Sequence, residues 1–189
     1  ELESLEPPNI PEPSQYQTDF THYDAGEKPS DWTELWGDSH WTIQDNPKRL
    51  EHVVTDGADR RFLAWDKVGE VHGDVEVAAL VRANNEGELF QVHLHGSGRV
   101  GTENGYYLDV TKKHGKTSIR ISRLLRGTNT VLATEELDFD LDVDTWYQVV
   151  FGRQGNALNG KVWPYGEAEP EDWQITFDDD MYIDFGKVG

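Results

Sequence analysis

The chain has 189 residues, with 17 Lys plus Arg against 36 Asp plus Glu, a formal net charge of -19, 11% aromatic residues, seven of them Trp, and no Cys. A surface this acidic repels phosphate backbones and anionic headgroups, which argues against nucleic acid and membrane-surface partners. The missing cysteines exclude disulfides, thiolate metal sites and a cysteine nucleophile, and the aromatic content is too high for a disordered acidic tail.

One large domain is expected at this length, and no apolar run approaches the ~18 residues of a membrane span, so membrane insertion is not expected. The acids are scattered along the chain without forming a tail, a pattern expected of proteins that stay soluble in concentrated salt. Because the sequence begins with Glu1 and lacks an initiating Met, it reads as part of something longer or processed.

Residues 1–17, ELESLEPPNIPEPSQYQ, hold four of the eight prolines and no periodic apolar pattern, so an extended linker is expected there. From Thr18 onward, residues 18–189 read as one domain of short alternating segments separated by Gly, Asn and Asp. PSDWTELWG is the only helix-like piece, with Ser30 as a cap and Trp32, Leu35 and Trp36 on one side. Strands are expected over 18–23, 40–45, 49–55, 61–66, 74–83, 89–96, 106–112, 118–125, 130–139, 146–153, 157–163 and 173–177. Turn signals about every ten residues, without helical periods between them, predict an all-β antiparallel two-sheet sandwich or barrel.

One hairpin can be placed by register. DTWYQVVFGRQGNALNGKVW, residues 144–163, carries a turn signal at Gly155-Asn156 and another at Asn159-Gly160. Turning at the first sets Phe151 opposite Gly160, Val149 opposite Val162 and Gln148 opposite Trp163, so each apolar residue meets a same-face neighbour. Turning at the second strands Val149, Val150 and Phe151, so the first is preferred. Tyr147, Val149, Phe151, Leu158 and Val162 then face the core, and Trp146, Gln148, Lys161 and Trp163 face away.

The same alternation assigns Val75, Val77, Ala79, Val81, Phe90, Val92, Leu94, Tyr106, Leu108, Val110, Ile119 and Ile121 to the interior. The opposite parity collects Arg82, Gln91, His93, His95, Tyr107, Asp109, Arg120 and Ser122. If these strands are neighbours in one sheet, its outer face is a polar and aromatic surface. Sugar hydroxyls pair with such donors and acceptors, and a flat ring such as Tyr107 or Trp163 can stack on a pyranose. The glycan-binding candidates are therefore Arg82, Gln91, His93, His95, Tyr107, Asp109, Arg120 and Trp163. The alternative is the ordinary solvated face of an antiparallel sandwich; Trp65, in an apolar FLAW run, and Trp146 read as packing residues.

DFTHYDAGEKPSDWTELW (19–36), RRFLAWDKVG (60–69), DVEVAALVRA (74–83), ENGYYLDV (103–110), DTWYQVVFGRQGNALNGKVW (144–163) and GEAEPEDWQIT (166–176) together resemble the concanavalin A-like (laminin G-like) jelly roll. That family includes structural proteins of phages and archaeal viruses and secreted carbohydrate-active proteins. The resemblance implies a convex and a concave antiparallel sheet, ligands in or at the rim of the concavity, and a last strand paired with the first, at TDFTHY. The sequence stops at DFGKVG, short of the further strand the family has, so that strand is expected outside this sequence or from a neighbouring subunit.

Sandwich glycosidases of this broad fold aim Glu-x-Asp-x-(x)-Glu into the cleft from one strand. ELDFD at 136–140 comes close, but ends on Asp140, and Asp138, Asp140, Asp142 and Asp144 continue the alternation as a solvated acidic face would. No catalytic residue is assigned. His93 and His95, spaced for one side of a strand, suit a metal or a ligand but lack a third partner. Asp178, Asp179 and Asp180, with Asp19 or Asp24, are the candidates for a structural calcium, which the resemblance makes plausible; no cofactor is otherwise required.

The expectation is a non-catalytic adhesion module on a virion surface, or otherwise extracellular, from a virus of a halophilic host. It would bind host-surface carbohydrate or glycoprotein, contact other virion subunits and form a homo-oligomer. A purely structural decoration domain of a capsid or tail and a glycoside hydrolase are the alternatives.

Overall fold

The computed structural model of the chain describes residues 14–36, 41–52, 62–83, 89–113, 115–181 and 183–189. Two four-stranded antiparallel sheets form its body. The first has the order β10-β9-β8-β7, with β7 at Leu89–Ser97, β8 at Asn104–Lys113, β9 at Lys116–Leu125 and β10 at Thr128–Glu136. The second runs β13-β12-β11-β6, with β6 at Val75–Val81, β11 at Tyr147–Gln154, β12 at Ala157–Pro164 and β13 at Ile175–Asp178. No helix is present among the described residues, as the missing helical periods predict.

The inner faces interdigitate as the alternation requires. Leu108, Val110, Ile119 and Ile121 of the first sheet pack with Tyr147, Val149, Phe151, Leu158 and Val162 of the second, all nearly free of solvent. Val75, Val77, Ala79 and Val81 join from the edge strand, partly buried. Gly160 lets the sheets approach: a Cβ there would lie 2.6 Å from Leu108 Cδ1. The hairpin turns at Gly155-Asn156, pairing Phe151 with Gly160, Val149 with Val162 and Gln148 with Trp163, as predicted.

Three two-stranded ladders surround this body: β1 (Trp32–Trp36) with β4 (Phe62–Trp65), β2 (Trp41–Gln44) with β3 (Arg49–His52), and β5 (Val71–His72) with β14 (Phe185–Gly186). Here the sequence expectations need correction. PSDWTELWG is not helical: residues 32–36 are β1, because pairing Trp32 with Trp65 and Trp36 with Phe62 buries far more aromatic surface than one capped turn can. The Trp32 and Trp65 rings stack at 5.5 Å and 9°.

TDFTHY is not a strand either. Residues 18–23 bend, with Phe20 at φ 62 and the Asp19 carboxylate accepting the Thr21 N–H at 3.0 Å. The expected pairing of last strand with first is therefore replaced. The Lys187 N–H and carbonyl bond both backbone groups of Gly96, the His93 N–H donates to Gly189 at 2.7 Å, and the Trp65 N–H donates to Val188 at 3.3 Å. The last three residues thus pair with β7 and β4.

Several expected boundaries shift inward: β6 spans Val75–Val81, β10 ends at Glu136, β11 begins at Tyr147 and β13 begins at Ile175. Of the expected linker, residues 1–13 lie outside the described residues, and Tyr16 packs edge-on against Trp65 at 6.4 Å.

Candidate functional site

The register of the first sheet aligns Gln91 with Asp109 and Arg120, and His93 with Tyr107 and Ser122, across β7, β8 and β9. These six side chains share the outer face, as parity predicts. Arg82 and Trp163 do not join them. Arg82 follows β6 and Trp163 lies on β12, both in the second sheet, so seven of the eight candidates divide between opposite outer faces of the sandwich. Parity fixes which side of a strand a residue takes but is silent on which sheet the strand enters.

His95 departs for a different reason. Its φ is 55 and the β7–β8 register shifts between Leu94 and Ser97, so a bulge breaks the alternation. His95 Nε2 lies 3.3 Å from Nη1 of Arg153, a core-parity residue of β11, and His95 is fully buried. The expected His93/His95 pair on one side of a strand is thereby corrected.

The outer face of the first sheet is also not the open surface expected of it. Trp36 and Phe62, brought together by the β1–β4 ladder, lie over it and form a second cluster with Ala64, Tyr107 and Leu124. The Phe62 ring stacks on His93 at 4.7 Å, Trp36 meets His93 edge-on at 5.5 Å, and His93 stacks on Tyr107 at 5.3 Å. Phe62 can seat so closely because Gly96 has no side chain: a Cβ there would stand 2.1 Å from the ring. FLAW carried the signal for this cover, since all four residues are buried, and a strand apolar at every position is one covered on both faces.

Under the cover the face is polar. Arg120 donates two hydrogen bonds to Asp109 Oδ1, at 2.8 and 2.6 Å, and the Asp109 side chain is wholly buried while Arg120 keeps about a third of its exposure. Burial raises the Asp109 pKa, with the hydrogen bond and charge of Arg120 opposing it. His93 Nε2 lies 3.3 Å from Gln91 Oε1, and burial pushes the His93 pKa down to about 3, so the ring is neutral. Four atoms on this face or its cover are buried without a partner: His93 Nδ1, Asp109 Oδ2, Ser122 Oγ and Trp36 Nε1. An unsatisfied buried polar group costs ~1–3 kcal/mol, so the fold bears four such costs on this face and its cover. Gln91, exposed, and Arg120 form the accessible margin.

The aspartates proposed for calcium are employed otherwise. Asp179 accepts from Tyr106 Oη at 2.7 Å and from Arg123, which ties it to β8 and β9. Burial raises its pKa, yet the Tyr106 and Arg123 hydrogen bonds outweigh that and leave it lowered. Asp178 and Asp180 are exposed on either side, and Asp19 is exposed in its own turn. Among the described residues no three carboxylate or imidazole side chains converge.

In ELDFD, Glu136 ends β10 and bonds Lys116 Nζ at 2.8 and 2.7 Å, while Asp138 and Asp140 are exposed beyond the strand. Leu137 and Phe139 between them pack against the core.

On the opposite face, Arg82 lies over the Trp146 ring at 5.1 Å, and the Lys161 ammonium sits 5.9 Å from Trp163 and 4.7 Å from Trp173. Trp163 itself is only 5% exposed, so it is not the open ring that stacking on a sugar requires.

No protein-family model and no curated protein matches the sequence. Solved structures do. The chain is similar to carbohydrate-binding module CBM66 from Bacillus subtilis at 16% identity and TM-score 0.59, over 84% of each chain. It is similar to the xylan β-1,4-xylosidase of Bacillus halodurans at 18% identity and TM-score 0.53, over 96% of this chain and 37% of that one. A third similarity is to the enzymatically active domain of bacteriophage CBA120 tailspike protein 2, at 15% identity and TM-score 0.50, over 89% of this chain and 26% of that one. The fold is a jelly-roll β-sandwich. This chain spans about a third of the xylosidase and about a quarter of the tailspike chain, and at such identities the likeness carries the fold alone.

Proposed function

We propose that this jelly roll is a non-catalytic carbohydrate-binding module whose ligand meets the outer face of β7–β9. The observation that carries the reading is the accessible margin of this face, exposed Gln91 and partly exposed Arg120, beside stacked aromatic rings and the buried, unpartnered polar atoms of His93, Asp109, Ser122 and Trp36. Sugar recognition needs this combination of hydroxyl-pairing atoms and flat apolar rings. A module described as carbohydrate-binding among the similar folds supports it.

Hydrolysis is left out of the proposal because it needs two carboxylates flanking a glycosidic bond. Asp109 is engaged by Arg120 and Glu136 by Lys116. Within the same reading, display on a virion surface suits the scattered acidity and the tailspike likeness, with host-surface glycan or glycoprotein as the target. Many copies would compensate for modest affinity per site.

The test is binding to a panel of soluble oligosaccharides in molar salt, comparing the wild type with Arg120→Ala and Gln91→Ala. Gln91 is exposed and its removal should leave the fold intact. Arg120→Ala leaves Asp109 buried without its ion pair, so circular dichroism checks the fold of each variant. An affinity loss of roughly tenfold or more is expected in the folded variants. Equal binding by all three proteins, or none to any glycan, overturns the reading.

A further inference from the structure

The outer face of the second sheet carries features that the binding reading does not use. Its register places Leu80, Gln148 and Trp163 in one cross-strand row, and Ala78, Val150 and Lys161 in the next. Beyond them Trp146 stands beside Arg82, and the Tyr165 N–H donates to the Trp146 carbonyl at 2.9 Å, extending the ladder by one position. The 165–174 segment folds back over β12. Lys161 Nζ donates to the Pro170 carbonyl at 3.3 Å and pairs with Glu169, which holds the ammonium between the Trp163 and Trp173 indoles.

The result is a surface bearing large exposed apolar groups: Tyr165 at 64%, Leu80 at 47% and Trp173 at 38% exposure, with half-buried Trp146 and the Gln148 amide between strands. A ring left open on a packed base keeps its geometry without a ligand, so little ordering entropy opposes stacking. Trp173 has this arrangement, with Lys161 against its ring.

Charge decides among occupants. The chain carries a formal -19, yet on this face Arg82 lies near Asp144 at 4.0 Å and Lys161 pairs with Glu169, so the cations are locally balanced. An anionic polymer would meet the repulsion of the whole molecule without a free cation cluster to offset it. A second copy of the chain would bring another -19 against the first. A neutral polysaccharide meets neither penalty, presents flat C–H faces to the rings and offers hydroxyls to Gln148 and Arg82.

We infer that the outer face of β6–β11–β12, through Trp146, Tyr165 and Trp173, is a second contact surface for an uncharged polysaccharide chain lying flat across the strands. This surface lies on the opposite side of the sandwich from His93 and Asp109, and it stands or falls independently of that site.

The experiment is retention of the full chain on insoluble xylan, cellulose and chitin, with Tyr165→Ala/Trp173→Ala compared against Arg120→Ala. Circular dichroism should confirm the fold of each variant, and sedimentation their mass. Retention on at least one polymer should fall tenfold or more in the double variant, remain in Arg120→Ala, and change little between dilute and molar NaCl. Retention unaffected by Tyr165→Ala/Trp173→Ala, or lost as salt rises, overturns the inference. So does the absence of retention, or a wild-type dimer that becomes a monomer in the double variant, which would assign the face to a second copy. Loss of soluble-oligosaccharide binding in Arg120→Ala alone would speak only to the β7–β9 site.

Discussion

On the outer side of β7–β9, His93 and Tyr107 lie under Trp36 and Phe62, with exposures of 5% and 6%; on the outer side of β6–β11–β12, Leu80, Tyr165 and Trp173 remain open. Both sheets supply alternating inner residues to one core, so this contrast arises outside the strands themselves. The first sheet is roofed by a separate ladder, β1–β4, and the C-terminal residues wedged against β7 hold that ladder in place. Among the described residues the second sheet is padded by its own 165–174 segment, with Val150, Lys161 and Trp163 buried and Leu80, Tyr165 and Trp173 left open. Polar groups under a roof become costly and specific, whereas rings on an open sheet contribute little to folding.

The largest effect should come from removing the roof. Phe62→Ala deletes a ring that is 2% exposed and stacks on His93, and is expected to cost about 3–5 kcal/mol by urea denaturation. The same variant should let water reach His93, moving its imidazole pKa upward from about 3, which NMR titration reads directly. A small loss of stability with an unmoved His93 pKa would mean that Phe62 is not what seals the face.

The roof also predicts a pH dependence. His93 titrates near 6.5 when unfolded and is held near 3 when folded, so its stabilising contribution is present above pH 6.5 and is lost as pH falls toward 3. By linkage the loss is on the order of 3 kcal/mol between pH 7 and pH 4. His95, also depressed, adds in the same direction. Asp109 acts oppositely: its raised folded pKa gives a contribution present below the unfolded value of 3.8 and lost as pH rises through the folded one. Denaturation midpoints should therefore rise with pH between pH 4 and about 6.5 and level off above it, and His93→Gln should flatten much of that slope. A wild-type curve flat across this window would remove the sealed neutral histidine.

These residues show what could be read in advance. The inner faces and the Gly155-Asn156 hairpin were legible because a register slip would turn Val149, Phe151 and Val162 outward, leaving one acceptable alternation. The sheet membership of β6 was not legible, since alternation along one strand carries no information about its neighbours; Arg82 was misplaced for that reason. His95 was lost to a bulge in which a non-glycine residue takes φ 55, with Gly96 and Gly98 nearby as the local hint. The roof was hidden by mistaking WTELW for a helical turn, although the uninterrupted apolar FLAW pointed to a strand buried on both sides.

Salt should act through the whole surface and leave the roof alone. At a formal -19, screening among exposed acids is expected to raise the melting temperature by a few degrees between dilute and molar NaCl. The deficit of Phe62→Ala relative to wild type should stay the same across that range, because the lost contacts are apolar. An unchanged wild-type melting temperature would count against adaptation to concentrated salt, and a salt-dependent deficit would count against a purely apolar cover.

The smallest effect belongs to the open face. Leu80 is 47% exposed and stands in a row with Gln148 and Trp163 on a sheet whose other side is already fully packed. Leu80→Ala removes contacts that are mostly with water and is expected to stay within about 0.5 kcal/mol of wild type by urea denaturation. Tyr165, 64% exposed, should respond likewise, so Tyr165→Ala should also be nearly neutral for folding. Should Leu80→Ala instead cost as much as Phe62→Ala, the second sheet would have to be covered by something, and the distinction between a roofed and an open face would collapse.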